Sequence, residues 1–164
     1  MTITRVIFLL CLTVAVVTEA VAFSASQLWM ALPGALAGLF WAIDFWRGKH
    51  RLGTLSFLIL LAMTAIGFWM ELSGFLLLAS TLTALMAWDL DGFGKQLHSY
   101  DPDQGNTPVV RAHLSRLFTV AALGYLLGAL PLLVKARFGL PVAVLLGALL
   151  VIGLSLAVHY LRNL

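Results

Sequence analysis

An apolar run, Val6–Phe23, contains a single charged residue, Glu19, and constrains the fold more than any other feature of the chain. A helix needs about 17–25 apolar residues to cross the hydrocarbon layer of a bilayer. Comparable runs recur along the chain, and 62% of its 164 residues are hydrophobic, whereas 10% are charged. A soluble domain of this size cannot bury so much apolar surface. The sequence therefore predicts an all-α integral membrane protein.

We predict six transmembrane helices, separated by polar or glycine-containing segments. Their expected bounds are Ile3–Phe23, Leu28–Phe45, Thr54–Met70, Phe75–Trp88, Leu117–Val134 and Phe138–Tyr160. The third and fourth runs are nearly continuous, and they are separated by the segment ELSG at 71–74, which has a charge, a serine and a glycine. As one helix they would measure about 50 Å, which is far longer than a bilayer allows.

Tight connections alternate with longer polar ones, so we expect the six helices to pair as three helical hairpins. All of them belong to a single transmembrane domain over 1–164, with cytoplasmic helix extensions and a loop at about 92–116. With the N-terminus inside, eight Lys and Arg residues lie on the inner face and only Lys135 and Arg137 on the outer face. This bias follows the positive-inside rule. It predicts a multi-pass protein of the plasma (inner) membrane with both termini on the cytoplasmic side.

Two features of this arrangement have a second interpretation. The first apolar run, with Arg5 before it and AFSAS at its end, is compatible with a signal peptide, but its length favours a retained helix. The second helices of the three hairpins end in FWAIDFWRGKH, MAWDLDGFGKQLH and LAVHYLRNL. These endings suggest a degenerate threefold repeat. The preference of aromatic and basic residues for one membrane face also explains them, and we favour that explanation.

Charged residues near the helix ends are the candidate site residues, because a carboxylate near hydrocarbon is costly unless it is paired or hydrated. At the inner face, Asp89 or Asp91 at the end of helix 4 is expected to pair with Arg116 at the start of helix 5. His113 lies one turn further out. Asp44 is expected to pair with the arginine that follows it by three residues on the same helix.

The outer half of the bundle contains the remaining acids. Glu19 lies about 21 Å along helix 1 from the arginine near its start, and Glu71 lies in the connection between helices 3 and 4. The two outer cations, Lys135 and Arg137, are the expected counterions of these acids. Glu19 has a second interpretation, because intramembrane acids also mark proton or cation routes. We favour the structural ion pair.

Several function classes are disfavoured by the sequence. The basic residues are scattered singly, which argues against a nucleic-acid partner. One cysteine and four histidines without metal-ligand spacing predict no metal, haem or other cofactor. No nucleophile–histidine–acid set or phosphate-binding loop is present, so we expect no enzymatic activity. The GxxxG pairs Gly34/Gly38 and Gly124/Gly128 predict close helix contacts, within one chain or between copies.

Two functions remain as expectations. The first is an accessory or scaffold subunit of a membrane assembly or homo-oligomer, whose partners are the lipid bilayer and other membrane subunits or further copies of itself. The second is a small proton- or cation-coupled channel or transporter that uses Glu19, with Asp44, Asp89 and Glu71 along its route.

Overall fold

A computed structural model of the chain describes residues 3–24, 28–49, 51–100 and 107–133. Contacts divide the chain into two compact units, Met1–Leu132 and Leu133–Leu164. The first unit contains all of the described residues except Leu133. The described residues form helices and turns with no strand among them, so the all-helical prediction is confirmed for this part of the chain.

The described helices agree closely with the predicted apolar runs. They are α1 (Ile3–Ser24), a 3-10 turn (Leu28–Ala31), α2 (Leu32–Trp46), α3 (Gly53–Trp69), α4 (Gly74–Tyr100) and α5 (Thr107–Leu133). The break between α3 and α4 falls at ELSG, as predicted. The expected helix extensions are present as well, since α4 continues beyond Trp88 to Tyr100 and α5 begins at Thr107. The predicted sixth helix lies outside the described residues.

Successive helices run in opposite directions along the bundle. The ring of Phe8, near the start of α1, stacks on Phe45 at the end of α2, with ring centroids 3.8 Å apart. The hydroxyl of Ser80 on α4 donates to the Ala15 carbonyl at 2.9 Å, which ties the middle of α4 to the middle of α1. Helices α1 and α4 have the most extensive contact, although they do not belong to the same predicted hairpin. We call the end where α1 begins the near end, and the end where α1 finishes the far end.

Glycines mark the closest helix approaches. A Cβ atom on Gly38 of α2 would lie 2.5 Å from the Val16 side chain on α1, whereas one on Gly128 of α5 would lie 3.0 Å from Leu78 on α4. Gly124 faces Leu82 one turn further along α4. The GxxxG pair on α2 therefore lies at a close approach to α1 of the same chain, where a small residue is needed. The pair on α5 contacts the ends of leucine side chains on α4.

The outer surface of the bundle is apolar. On α1, a stripe of exposed residues lies opposite the buried face, and it comprises Val6, Leu10, Val14, Val17 and Val21. Within the described residues, four segments are long and apolar enough to cross a membrane, namely Ile3–Ser24, Leu28–Trp46, Gly74–Lys95 and Val110–Leu133. Helix α3 is apolar but shorter. A helix that is apolar on all sides is suited to lipid rather than water, so these four segments give the described chain the make-up of a membrane protein.

Candidate functional site: the charged near end of the bundle

The sequence WDLD at 88–91 lies on α4 where the helix reaches the near end, and its polar residues contact different neighbours. Residues three apart share a helix face, so Trp88 and Asp91 both face α3. The Trp88 ring stacks on Phe57 with centroids 5.5 Å apart, and its Nε1 lies 3.5 Å from Thr54 Oγ1, which is a long contact. Asp89 is one residue further round the helix and faces α5.

Asp89 connects α4 to α5. His113 Nε2 donates to Oδ2 of Asp89 at 2.7 Å. The imidazole ring of His113 also lies flat on the ring of Phe93, with centroids 4.1 Å apart and planes 7° apart. The stacking fixes the plane of the imidazole and directs its nitrogen at the carboxylate. One histidine of α5 thus contacts two residues of α4 at this end of the bundle.

Asp91 is buried against the first residue of α3. Its side chain is 2% exposed, and its Oδ2 lies 3.7 Å from Nζ of Lys95 one turn later on α4. A Cβ atom on Gly53 would collide with this carboxylate oxygen and would lie 3.0 Å from Nε1 of Trp41. Glycine at this position therefore leaves room for a carboxylate and an indole beside the start of α3. The indole N–H of Trp41 has no hydrogen-bond acceptor among the described residues.

Asp44 caps α3 from the end of α2. Its Oδ2 accepts hydrogen bonds from the backbone N–H groups of Arg51 at 2.6 Å and Leu52 at 2.8 Å. The first N–H groups of a helix have no partner within the helix, and they favour a negative charge nearby. Helix α3 has no acid in its own first turn. Asp44 and Asp91 supply the missing carboxylates from two other helices.

Replacing Asp44 with alanine is expected to lower the free energy of unfolding by about 2 kcal/mol, because two backbone N–H groups lose a charged acceptor. Asp44→Asn keeps an acceptor oxygen and is expected to lose less than half as much. The measurement is the melting temperature of the detergent-purified variants, followed by circular dichroism. Equal, negligible losses in both variants would show that water replaces the carboxylate at this helix start.

A cavity of about 240 Å³ lies at the near end between α3, α4 and α5. It is lined by Thr54, Trp88, Asp89, Asp91, Gly92, Phe93, Lys95 and His113, and we call it the polar pocket. Two carboxylates, one ammonium group and one imidazole surround it. Asp89 and Lys95 are 41% and 46% exposed, so the polar pocket opens to the outside of the bundle. Among the described residues, no group of three His, Cys, Asp or Glu side chains is placed to hold a metal ion.

Glu19 lies far from the polar pocket, in the far half of α1. Its side chain is 2% exposed and lies against α2, where a Cβ atom on Gly34 would be 2.9 Å from Oε2. Neither carboxylate oxygen has a hydrogen-bond partner among the described residues. An acid that is buried in this way is costly unless it is neutral or paired.

The predicted partners of the acids are placed as follows. Arg116 is exposed on α5 and takes part in neither described ion pair, because His113 contacts Asp89 and Lys95 contacts Asp91. Glu71 lies exposed in the turn between α3 and α4, with a positive φ of 57°. The pairing of Glu19 or Glu71 with Lys135 or Arg137 lies outside the described residues and stays a prediction.

Comparison of the chain with protein-family models, with curated proteins and with solved structures gave no match.

Three features of the near end were missed in the sequence. The contact of His113 with Asp89 was not predicted, since depth along two helices does not separate His113 from the arginine one turn later. The capping role of Asp44 was missed, because its connection to α3 depends on the turn that follows α2. The close approach at Gly53 has a sequence signal, since a glycine just before an apolar run is common where a backbone must come close to another group.

Proposed function

We propose that the chain is a non-enzymatic, multi-pass protein of the plasma (inner) membrane that serves as an accessory or scaffold subunit in a larger membrane assembly or homo-oligomer. The observation that carries this proposal is the use of polar side chains at the contacts between its helices. Asp44 caps a neighbouring helix, Ser80 binds the backbone of α1, and Asp89 holds α5 through His113. These groups join helices to one another, which is the role expected of polar residues in a membrane bundle.

The membrane arrangement that we propose has six helices in three hairpins with both termini in the cytoplasm. The alternating directions of α1 to α5 support this arrangement, and so does the excess of Lys and Arg at the near end. Helix α3 has 17 residues and measures about 25 Å, which is close to the thickness of the hydrocarbon layer. The chain is therefore expected to cross the membrane at α3 as well as at the four longer segments.

Cysteine labelling tests the orientation. Lys49 and Glu71 are both exposed, and they lie at opposite ends of the bundle. In a Cys11→Ala background, Lys49→Cys is expected to react with a membrane-impermeant maleimide only after the cytoplasmic face is opened. Glu71→Cys is expected to react in intact cells. The same accessibility for both positions would overturn the proposed topology.

The subunit proposal is tested by the mass of the protein purified in mild detergent. We expect either a defined homo-oligomer or a stoichiometric complex with other membrane proteins, measured by light scattering and by native mass spectrometry. The same measurement after extraction into polymer-bounded native discs is the control for dissociation by detergent. A bare monomer under both conditions would contradict the proposal.

A second function, proton- or cation-coupled transport, is favoured by one observation. The buried Glu19 has no hydrogen-bond partner among the described residues, and intramembrane acids commonly mark proton or cation routes. In this case Glu19→Gln should abolish acid-driven flux into liposomes while the melting temperature stays unchanged.

The scaffold proposal expects a different result from the same substitution. If Glu19 pairs with Lys135 or Arg137, Glu19→Gln leaves a cation unpaired near lipid and lowers the melting temperature. Adding the matching Lys135→Gln or Arg137→Gln should restore part of the loss, since a neutral pair costs less than a lone buried charge. Flux in the wild type that disappears in Glu19→Gln would promote the transport function instead.

A further inference from the structure

The turn between α2 and α3 carries a group of positive charges at the near end of the bundle. Its sequence RGKHRL occupies positions 47–52, and the side chains of Arg47, Lys49 and Arg51 are all exposed. We call these three side chains the basic turn. No other stretch of five residues in the sequence contains three Lys or Arg residues. The basic turn is therefore a local concentration of charge in a chain that is otherwise mostly apolar.

The backbone of this turn is held by Asp44. The carboxylate oxygen Oδ2 of Asp44 accepts from the backbone N–H groups of Arg51 and Leu52, and the Asp44 carbonyl accepts from the N–H of Lys49 at 3.2 Å. Gly48 has a positive φ of 66°, which lets the chain reverse direction here. The acid that precedes the turn thus binds its backbone, and the basic side chains extend outwards from a fixed loop.

The positive charge of the basic turn is not neutralised by the described residues around it. The two described ion pairs belong to Lys95 and His113, so the basic turn takes part in neither of them. Of the described acids at the near end, Asp44 and Asp91 are buried and Asp89 contacts His113. The basic turn therefore presents its charge to whatever surrounds the bundle at this level.

Both helices that the turn joins are apolar. The segment Leu28–Trp46 is long and apolar enough to cross a membrane, and Arg47 follows it directly. Helix α3 begins at Gly53, two residues after Arg51. Trp46 is 65% exposed, and tryptophan is enriched where hydrocarbon gives way to headgroups. Where α2 crosses a bilayer, the basic turn lies among the headgroups of one leaflet. This placement rests on the membrane arrangement proposed above, whichever face is cytoplasmic.

We propose that the basic turn binds the phosphate groups of anionic phospholipids. The guanidinium group of arginine presents N–H donors in a fork that matches two phosphate oxygens, and the lysine ammonium adds a point charge. Each basic residue close to an anionic lipid surface strengthens binding about fivefold. A choline lipid has a phosphate as well, but its own ammonium group offsets the phosphate charge. The basic turn accordingly prefers lipids whose headgroup has a net negative charge.

Native mass spectrometry of the detergent-purified protein tests this preference. The protein is mixed with equal amounts of phosphatidylglycerol and phosphatidylcholine that have identical acyl chains. We expect the wild type to retain about tenfold more of the anionic lipid. Arg47→Gln/Arg51→Gln is expected to lower this ratio about fivefold or more. The backbone N–H at position 51 still binds Asp44 in this variant, so the melting temperature should stay unchanged.

Arg111→Gln/Arg116→Gln is the matched control, because it also removes two exposed arginines at the near end. These two residues are five positions apart on α5, so their side chains leave the helix in directions about 140° apart. They are therefore poorly placed to share one headgroup. The ratio of retained lipids should fall by less than half in this variant.

Three outcomes would overturn the proposal. The first is equal retention of the two lipids by the wild type, and the second is an equal fall of the ratio in the two double variants. The third is displacement of the retained lipid by an equimolar amount of glycerol phosphate, which would identify a soluble ligand. If one of these results occurs while Lys49→Cys and Glu71→Cys are labelled from opposite sides, lipid binding is refuted and the membrane arrangement stands.

Discussion

Gly53→Ala is expected to destabilise the bundle by about 2–3 kcal/mol, although alanine is normally the better residue in a helix. The added methyl group would collide with the carboxylate of Asp91 and press on Nε1 of Trp41. Both neighbours are almost completely buried and have little room to move. Displacing Asp91 also removes a negative charge from the start of α3. The result is measured as a shift of the unfolding midpoint of the purified protein in a denaturing detergent.

Gly94→Ala is the matched control. Gly94 lies within α4, and a Cβ atom there would meet nothing within 4 Å. The same chemical change should therefore stabilise the protein by up to about 1 kcal/mol, since only the backbone preference for helix is affected. A gain in both variants would show that Asp91 and Trp41 can move aside, and that the close approach at Gly53 is unimportant for stability.

Much of the described fold could be predicted because each helix is a local property of the sequence. Runs such as Val6–Phe23 have the length that a bilayer requires, and the charge and glycine of ELSG mark a break between α3 and α4. The pairing of helices is less local. Helix α1 makes its largest contact with α4 rather than with α2, and this choice depends on contacts between distant residues such as the hydrogen bond from Ser80 to the Ala15 carbonyl.

The sequence predicts that charged residues gather at the near end of the bundle, but it predicts only some of the contacts that they make. Depth along the helices shows that Asp89 and Asp91 lie near the start of α5. It does not show the rotation of each helix about its axis, which decides that Asp89 faces His113 and that Asp91 faces Gly53. The aromatic ring of Phe93 adds a contact that charge counting does not include. Rotation is set by packing over the whole helix, so a short motif does not determine it.

The aromatic cluster around Phe8 explains why the near end of the bundle holds together. Phe8 is fully buried on α1, where it stacks on Phe45 and meets the edge of Trp41 at 5.6 Å and 75°. An edge-to-face pair such as Phe8 and Trp41 adds stability beyond the area that it buries. Since Trp41 also lies beside the start of α3, this cluster connects α1 and α2 with the helix that Asp44 caps.

Phe8→Ala is therefore expected to lower the free energy of unfolding by about 3 kcal/mol, the low end of the range for such a truncation. The low end applies because the surface of the bundle faces lipid rather than water. The loss of stability therefore comes from the missing packing contacts and from the cavity that remains. Phe40→Ala is the control, as Phe40 on α2 is 55% exposed and should cost less than 1 kcal/mol. Both variants are measured by unfolding in a denaturing detergent. A similar small loss in both would mean that α1 and α2 do not depend on the aromatic cluster.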